Sequence, residues 1–92
     1  MDKKEKSIQN ALGLMKTYFG YIVEEDNYNK VIIYDVKAIT RKSALHRLKK
    51  IVKRLNAQDG EISYKVRWLV ESSEAQPSMD NMKVLDRKKT VA

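Results

Sequence analysis

The segment RKSALHRLKKIVKR, residues 41–54, carries seven lysine or arginine side chains, one histidine and no acid. Ammonium and guanidinium groups at this density can bind phosphates or carboxylates, because each offers a positive charge together with several N–H donors. The whole chain has 19 basic and 12 acidic residues and a formal net charge of +7. Setting aside the seven cations of this segment leaves 12 basic against 12 acidic residues, so the segment accounts for the entire excess.

A helix over this segment would direct the charges to one side. Its apolar residues follow the spacing of an amphipathic helix with one buried stripe. Thr40 is the predicted N-cap, because its hydroxyl can accept a hydrogen bond from a free N–H of the first turn. The turn-forming NAQDG, residues 56–60, is the predicted end. The stripe comprises Ala44, Leu45, Leu48, Ile51, Val52 and Leu55.

The cationic side chains then fill the exposed arc of the predicted helix. Like pairs at i, i+4, such as Lys49 with Lys53, each cost about 0.2–0.5 kcal/mol, whereas opposite charges there would stabilise by a similar amount. A solvated surface helix remains the alternative, but solubility does not require every charge to have the same sign. We interpret the arc as an anion-binding face, assisted by Lys65 and Arg67 of a later strand. Its helical members are Lys42, His46, Arg47, Lys49, Lys50, Lys53 and Arg54.

Catalytic and metal chemistry have little support in the sequence. The chain has no cysteine, so disulfides and thiolate metal sites are excluded. His46 is the only histidine, and its cationic helical neighbours disfavour a dication. Ser43 is close to it in sequence, but no orienting acid is evident. With three glycines in the chain, no glycine-rich phosphate loop is present either. We therefore predict a protein that is not an enzyme and that uses no metal or cofactor.

The remaining sequence predicts the elements that position this helix. Apolar spacing from Ile8 to Met15 predicts a first helix over residues 4–17. TYFGYIVEE and VIIYDVKAI predict a β-hairpin joined by the polar EDNYNK. After the basic helix, EISYKVRWLVES alternates as a strand does. The alternation places on one face Ile62, Tyr64, Val66, Trp68 and Val70.

The order α-β-β-α-β predicts a small α+β domain over residues 1–72. Its three-stranded antiparallel sheet, of order 2-1-3, would be covered on one face by helices. Most of the tyrosines and the tryptophan should pack beneath those helices, with Tyr28 in the turn the most exposed. Residues 73–92, which contain the only proline, predict a mostly flexible basic tail. Met79, Met82 and Leu85 would at most support a short helix over 78–87, with partner binding as its use.

These features favour a small, non-enzymatic nucleic-acid-binding module that contacts DNA or RNA phosphates through the basic helix. The alternative is a regulatory adaptor or inhibitor, of the type that phages and mobile elements carry. It would bind an acidic partner protein through the helix or the tail. No signal peptide and no apolar run long enough to span a bilayer are evident. The lack of cysteine fits a reducing compartment, so we expect a soluble protein of the cytoplasm.

Overall fold

Four strands and one helix make up the part of the chain that the computed structural model describes, residues 14–58 and 60–89. The strands lie in one mixed sheet of order β3-β1-β2-β4. β1 pairs antiparallel with both β2 and β3, and β4 pairs parallel with β2. In chain order the elements are β1 (Lys16–Glu24), β2 (Asn27–Ala38), α1 (Arg41–Gln58), β3 (Tyr64–Glu71) and β4 (Lys83–Lys89).

The predicted α-β-β-α-β fold with three strands is therefore wrong, because the described order is β-β-α-β-β. The first three strands have the expected order 2-1-3, with β3 at one edge, but β4 adds a fourth strand at the other edge, parallel to β2. Of the predicted first helix, residues 4–13 lie outside the described residues. Its last two residues, Lys16 and Thr17, belong to β1, where they pair with β2.

One face of the sheet, which we call the first face, carries α1. The helix contributes Ala44, Leu48 and Ile51 to a core that includes Tyr18 and Ile22 of β1. Val52 and Leu55 pack at its margin, so five of the six residues of the predicted apolar stripe face the sheet. α1 contacts β1, β2 and β3 but not β4. The exposed side of the helix is thereby fixed by packing along most of its length.

Polar contacts define both ends of α1. The Ser43 N–H donates to Thr40 Oγ1 at 3.1 Å, and the Ala44 N–H donates to the Thr40 carbonyl at 3.0 Å, which confirms Thr40 as the N-cap. Near the other end, Asn56 joins the helix to β3. Its Oδ1 accepts from the Tyr64 N–H at 2.7 Å, and its Nδ2 donates to the Tyr64 carbonyl at 3.3 Å.

The opposite side of the sheet, which we call the second face, is also covered. Its core comprises Tyr21, Val23, Val31 and Ile33. Residues 72–82, which we call the strap, link β3 at one edge to β4 at the other, and Met79 and Met82 pack on this face. The Tyr21 hydroxyl donates to Gln76 Oε1 of the strap at 2.7 Å.

The predicted flexible tail and the short helix over 78–87 are therefore wrong for the described residues. Residues 83–89 form β4, whose backbone pairs with β2 from Lys30 to Asp35. A lone helix of that length would bury little and is marginal in water. As a strand, residues 83–89 form backbone hydrogen bonds with β2. Met79 and Met82 of the strap cover apolar surface of the second face, which α1 on the first face would leave open.

The predicted single apolar face of β3 is also wrong. The β1–β3 register pairs Tyr21 with Trp68 but Ile22 with Val66, so Arg67 is an extra residue in β3. Such a bulge reverses the face on which later side chains lie. Tyr64 and Val66 consequently pack on the first face, whereas Trp68 and Val70 pack on the second.

Candidate functional site

The predicted anion-binding residues of α1 lie on its solvent side. Six of them are exposed, and Arg47 is half-buried. We call the seven together the basic face: Lys42, His46, Arg47, Lys49, Lys50, Lys53 and Arg54. The packing of Leu48 and Ile51 against the sheet holds these side chains on the opposite side of the helix.

No carboxylate of the described residues lies within 4.0 Å of a cation on the basic face. Arg41 is the cation of α1 that does form an ion pair, with Glu74 of the strap. It also donates to the Leu69 carbonyl at 2.7 Å and lies over the Tyr18 ring. Arg41 thus ties the helix to β3 and the strap, while the basic face carries positive charge without a counter-ion from this part of the chain.

A shallow, open depression of about 340 Å³ lies on the first half of α1. Its lining consists of Lys42, Ser43, His46 and Arg47. The Ser43 hydroxyl accepts a hydrogen bond from the Thr40 hydroxyl at 3.2 Å, so the serine takes part in the helix cap. The depression can receive a small anionic group against one lysine and one arginine, and it contains no acid to orient His46 for catalysis.

Lys65 and Arg67, expected to assist the helix, lie elsewhere. Lys65 pairs with Val23, which belongs to the core of the second face. The Arg67 guanidinium carbon is 4.3 Å from the centre of the Trp68 ring, and Trp68 also packs on that face. Both cations are thus on the side of β3 away from α1, and the structure divides the predicted site in two.

Tyr28 brings these two cations together. The β1–β2 register passes from Val23 opposite Val31 to Glu24 opposite Asn27, so β1 has no partner for Tyr28. The centre of its ring lies 4.4 Å from the Lys65 ammonium nitrogen and 4.9 Å from the Arg67 guanidinium carbon. We call these four residues the Tyr28 cluster: Tyr28, Lys65, Arg67 and Trp68.

The predicted exposure of Tyr28 is confirmed, since 38% of its surface is accessible. Its contact with two cations of β3 was missed, because the two strands are separated by β1 and by more than thirty positions in sequence. The available signal was an aromatic residue within the polar EDNYNK, where a tyrosine has no neighbour in sequence on which to pack.

The three tail residues do not form one surface. Met79 and Met82 are half-buried against the second face, whereas Leu85 lies on β4 with 45% of its surface accessible. Arg87 of β4 adds a polar contact there. It forms an ion pair with Asp35 at 3.2 Å and stacks over Phe19 at 4.8 Å.

Tyr21 is the described group whose acidity is clearly altered. Burial raises the pKa of its phenol above 10.0, the nearby Arg87 opposes that rise, and Asp35 adds to it. The hydroxyl donates to Gln76, so its role is to hold the strap on the sheet. Residues 14–58 and 60–89 contain no group of three histidine, aspartate or glutamate side chains placed to hold a metal ion.

Comparison with protein-family models, curated proteins and solved structures gives no match to this chain. Within the residues that the structure describes, no helix combines the length and apolar character needed to cross a bilayer.

Proposed function

We propose that this protein is a small, non-enzymatic nucleic-acid-binding module that uses the basic face of α1 to contact phosphates. The observation that carries the proposal is the set of cations on this face that have no carboxylate partner in the described chain. A helix that exposes one sign of charge repels itself, and a polyanion relieves that repulsion. The cysteine-free composition also favours a reducing compartment, and we propose the cytoplasm.

The geometry of α1 suits a repeating anion better than a single one. Lys42, His46, Lys49 and Lys53 follow one another at intervals of three or four residues, so they extend along one side of the helix. This side is about 16 Å long, at ~1.5 Å per residue. Phosphates of a nucleic acid recur over such a length, whereas a small metabolite would occupy one point of it.

Charge reversal on α1 tests the proposal. The combination of Lys50→Glu, Lys53→Glu and Arg54→Glu should abolish duplex DNA binding at moderate salt and leave cooperative unfolding intact, because these side chains are exposed. Binding should be measured by fluorescence anisotropy at several salt concentrations. Each phosphate contact contributes about 0.9 to the slope of log affinity against log salt, so any residual slope should be smaller by about 2.7.

A matched variant separates the basic face from net charge. Lys37→Glu, Lys83→Glu and Lys89→Glu together change the net charge by the same amount, at exposed positions on the strands. This variant should retain most of the affinity. Equal losses in the two variants would show that binding follows total charge only, and no polynucleotide binding by the natural sequence at low salt would refute the proposal. An acidic partner protein would then be the remaining candidate.

A further inference from the structure

The Tyr28 cluster contains two cations that contact aromatic rings but no carboxylate. Two cations approach one tyrosine ring, and one of them, Arg67, also stacks on Trp68. A cation over an aromatic ring is stabilised by the electron density of the ring, yet the positive charge itself is not neutralised. No carboxylate of the described residues lies within 4.0 Å of either Lys65 or Arg67. The cluster therefore combines exposed aromatic surface with two unpaired positive charges.

The nearest acids in sequence do not change this arrangement. Glu24, Glu25 and Asp26 form the end of β1 and the hairpin turn, next to Tyr28. They moderate the local charge, but none forms an ion pair with Lys65 or Arg67. A ligand of the cluster must therefore gain from stacking as well as from charge, which disfavours a simple inorganic anion.

Unpaired nucleotides have both features. A base offers a planar π-face to a tyrosine ring or to a guanidinium plane, and the adjoining phosphate accepts hydrogen bonds from lysine or arginine. In a duplex the base faces are stacked on each other and are not available. The chemistry of the cluster is therefore selective for a single strand, an unpaired overhang or a loop.

We propose that Tyr28, Lys65 and Arg67 form a binding site for an unpaired nucleotide of DNA or RNA. The base stacks on the part of Tyr28 that Lys65 and Arg67 leave accessible, and the two cations hold the flanking phosphate. The inference rests on the proposed function, because it narrows the class of nucleic acid that the protein binds. The cluster and the basic face lie on opposite sides of edge strand β3. A flexible single strand can pass around that edge to reach both, and a stiff duplex cannot.

The test compares a single-stranded oligothymidylate with a mixed-sequence duplex of the same length. Tyr28→Ala should weaken single-strand binding about fivefold or more, which is the effect of losing one aromatic–base stack. Duplex affinity should be unchanged. Tyr28→Phe keeps the ring and should retain single-strand affinity. Arg67→Lys keeps the charge but not the planar guanidinium, and it should also weaken single-strand binding alone.

Trp68 supplies an independent readout, because it is the only tryptophan of the chain and it lies under Arg67. Its fluorescence should change when the oligothymidylate binds and should not change with the duplex. Tyr28→Ala should remove this response, while the charge-reversed α1 variant should keep it at saturating oligonucleotide.

The outcomes distinguish the two proposals. Duplex binding that depends on α1, together with single-strand binding that is indifferent to Tyr28→Ala, would overturn the nucleotide site and leave the proposed function standing. Equal losses on single strand and duplex would also overturn it. If the charge-reversed α1 variant retains both the Trp68 response and the full Tyr28-dependent single-strand affinity, that result would support the nucleotide site and refute the role of the basic face. Absence of all binding by the natural sequence would overturn both.

Discussion

Replacement of Gly20 by alanine should destabilise the protein, although alanine ordinarily favours a folded chain over glycine. Gly20 is buried in β1, between Tyr34 of β2 and Leu69 of β3. None of the described glycines has a positive φ, so backbone conformation gives no reason to require glycine here. On that ground alone, Gly20→Ala would stabilise by about 0.4–1 kcal/mol through the unfolded chain.

Contact with Leu48 makes the expected effect of Gly20→Ala destabilising instead. A Cβ at position 20 would lie 2.7 Å from Leu48 Cδ1 and 3.1 Å from Leu48 Cγ, where carbon atoms normally keep about 3.5–4.0 Å apart. Leu48 is fully buried in the core between α1 and the sheet, so its side chain has no free space to enter. Overpacking of this kind costs about 1–3 kcal/mol. The net loss should therefore be roughly 1–2 kcal/mol.

Urea unfolding followed by circular dichroism measures the effect, with Gly60→Ala as the control. A Cβ at Gly60 would meet nothing within 4 Å, so that substitution should be neutral or slightly stabilising. Leu48→Ala alone should cost about 2–5 kcal/mol and leave a cavity that the methyl group of Gly20→Ala can enter. In the Leu48→Ala background, Gly20→Ala should therefore be neutral or stabilising.

Two results would refute this reasoning. The first is stabilisation by Gly20→Ala in the otherwise natural sequence. The second is an equal cost of Gly20→Ala with and without Leu48, because the double-mutant cycle would then show no coupling between the two sites.

Three further predictions concern the contacts that hold the sheet, α1 and the strap together. Asn56→Ala should cost about 1–2 kcal/mol in urea unfolding by removing two hydrogen bonds to Tyr64, and a similar loss from the equally exposed Gln58→Ala would contradict that assignment. Because burial raises the pKa of Tyr21, the folded state favours its protonated form, and stability should fall as the pH rises above 10. The Tyr21→Phe variant should lose less stability over the same pH range, and a parallel decline in both proteins would exclude the effect. Truncation after Ser73 should lower the thermal midpoint and increase binding of a hydrophobic dye, and an unchanged midpoint would show that the strap and β4 do not support the fold.

Much of the fold could be predicted because its signals are local. The apolar stripe from Ala44 to Leu55 has a period that only a helix satisfies, and Thr40 marks the start of that helix. The β-hairpin is rich in β-branched and aromatic residues around a polar turn. These patterns do not depend on the rest of the chain, so the sequence and the structure agree on them.

β4 and the two faces of β3 could not be predicted, because their causes are distant in sequence. The β4 sequence KVLDRKK has two apolar residues and no period, and it is a strand because β2 offers a free edge to pair with. In β3 the alternation from Tyr64 to Val70 is regular in sequence. The extra residue Arg67 still divides these side chains between two cores, since both faces of the sheet are covered.

The candidate site also has one part with a local sequence signal and one part whose cause is distant in sequence. The direction of the basic face follows from the helical period, so its exposed residues could be named from the sequence. The Tyr28 cluster depends on two irregular registers, one between β1 and β2 and one between β1 and β3. Neither position has a glycine or proline that would indicate an irregular register in the sequence.

The basic face also has a consequence for the free protein. Its like charges repel one another in the folded state, where α1 holds them close together, and the repulsion weakens as the unfolded chain separates them. Added salt screens this repulsion and should make the fold more stable, while the same salt competes with a polyanion for the protein. Salt should therefore act in opposite directions on folding and on binding. On the proposed function, the ionic strength that best stabilises the fold is therefore higher than the one that best supports polyanion binding.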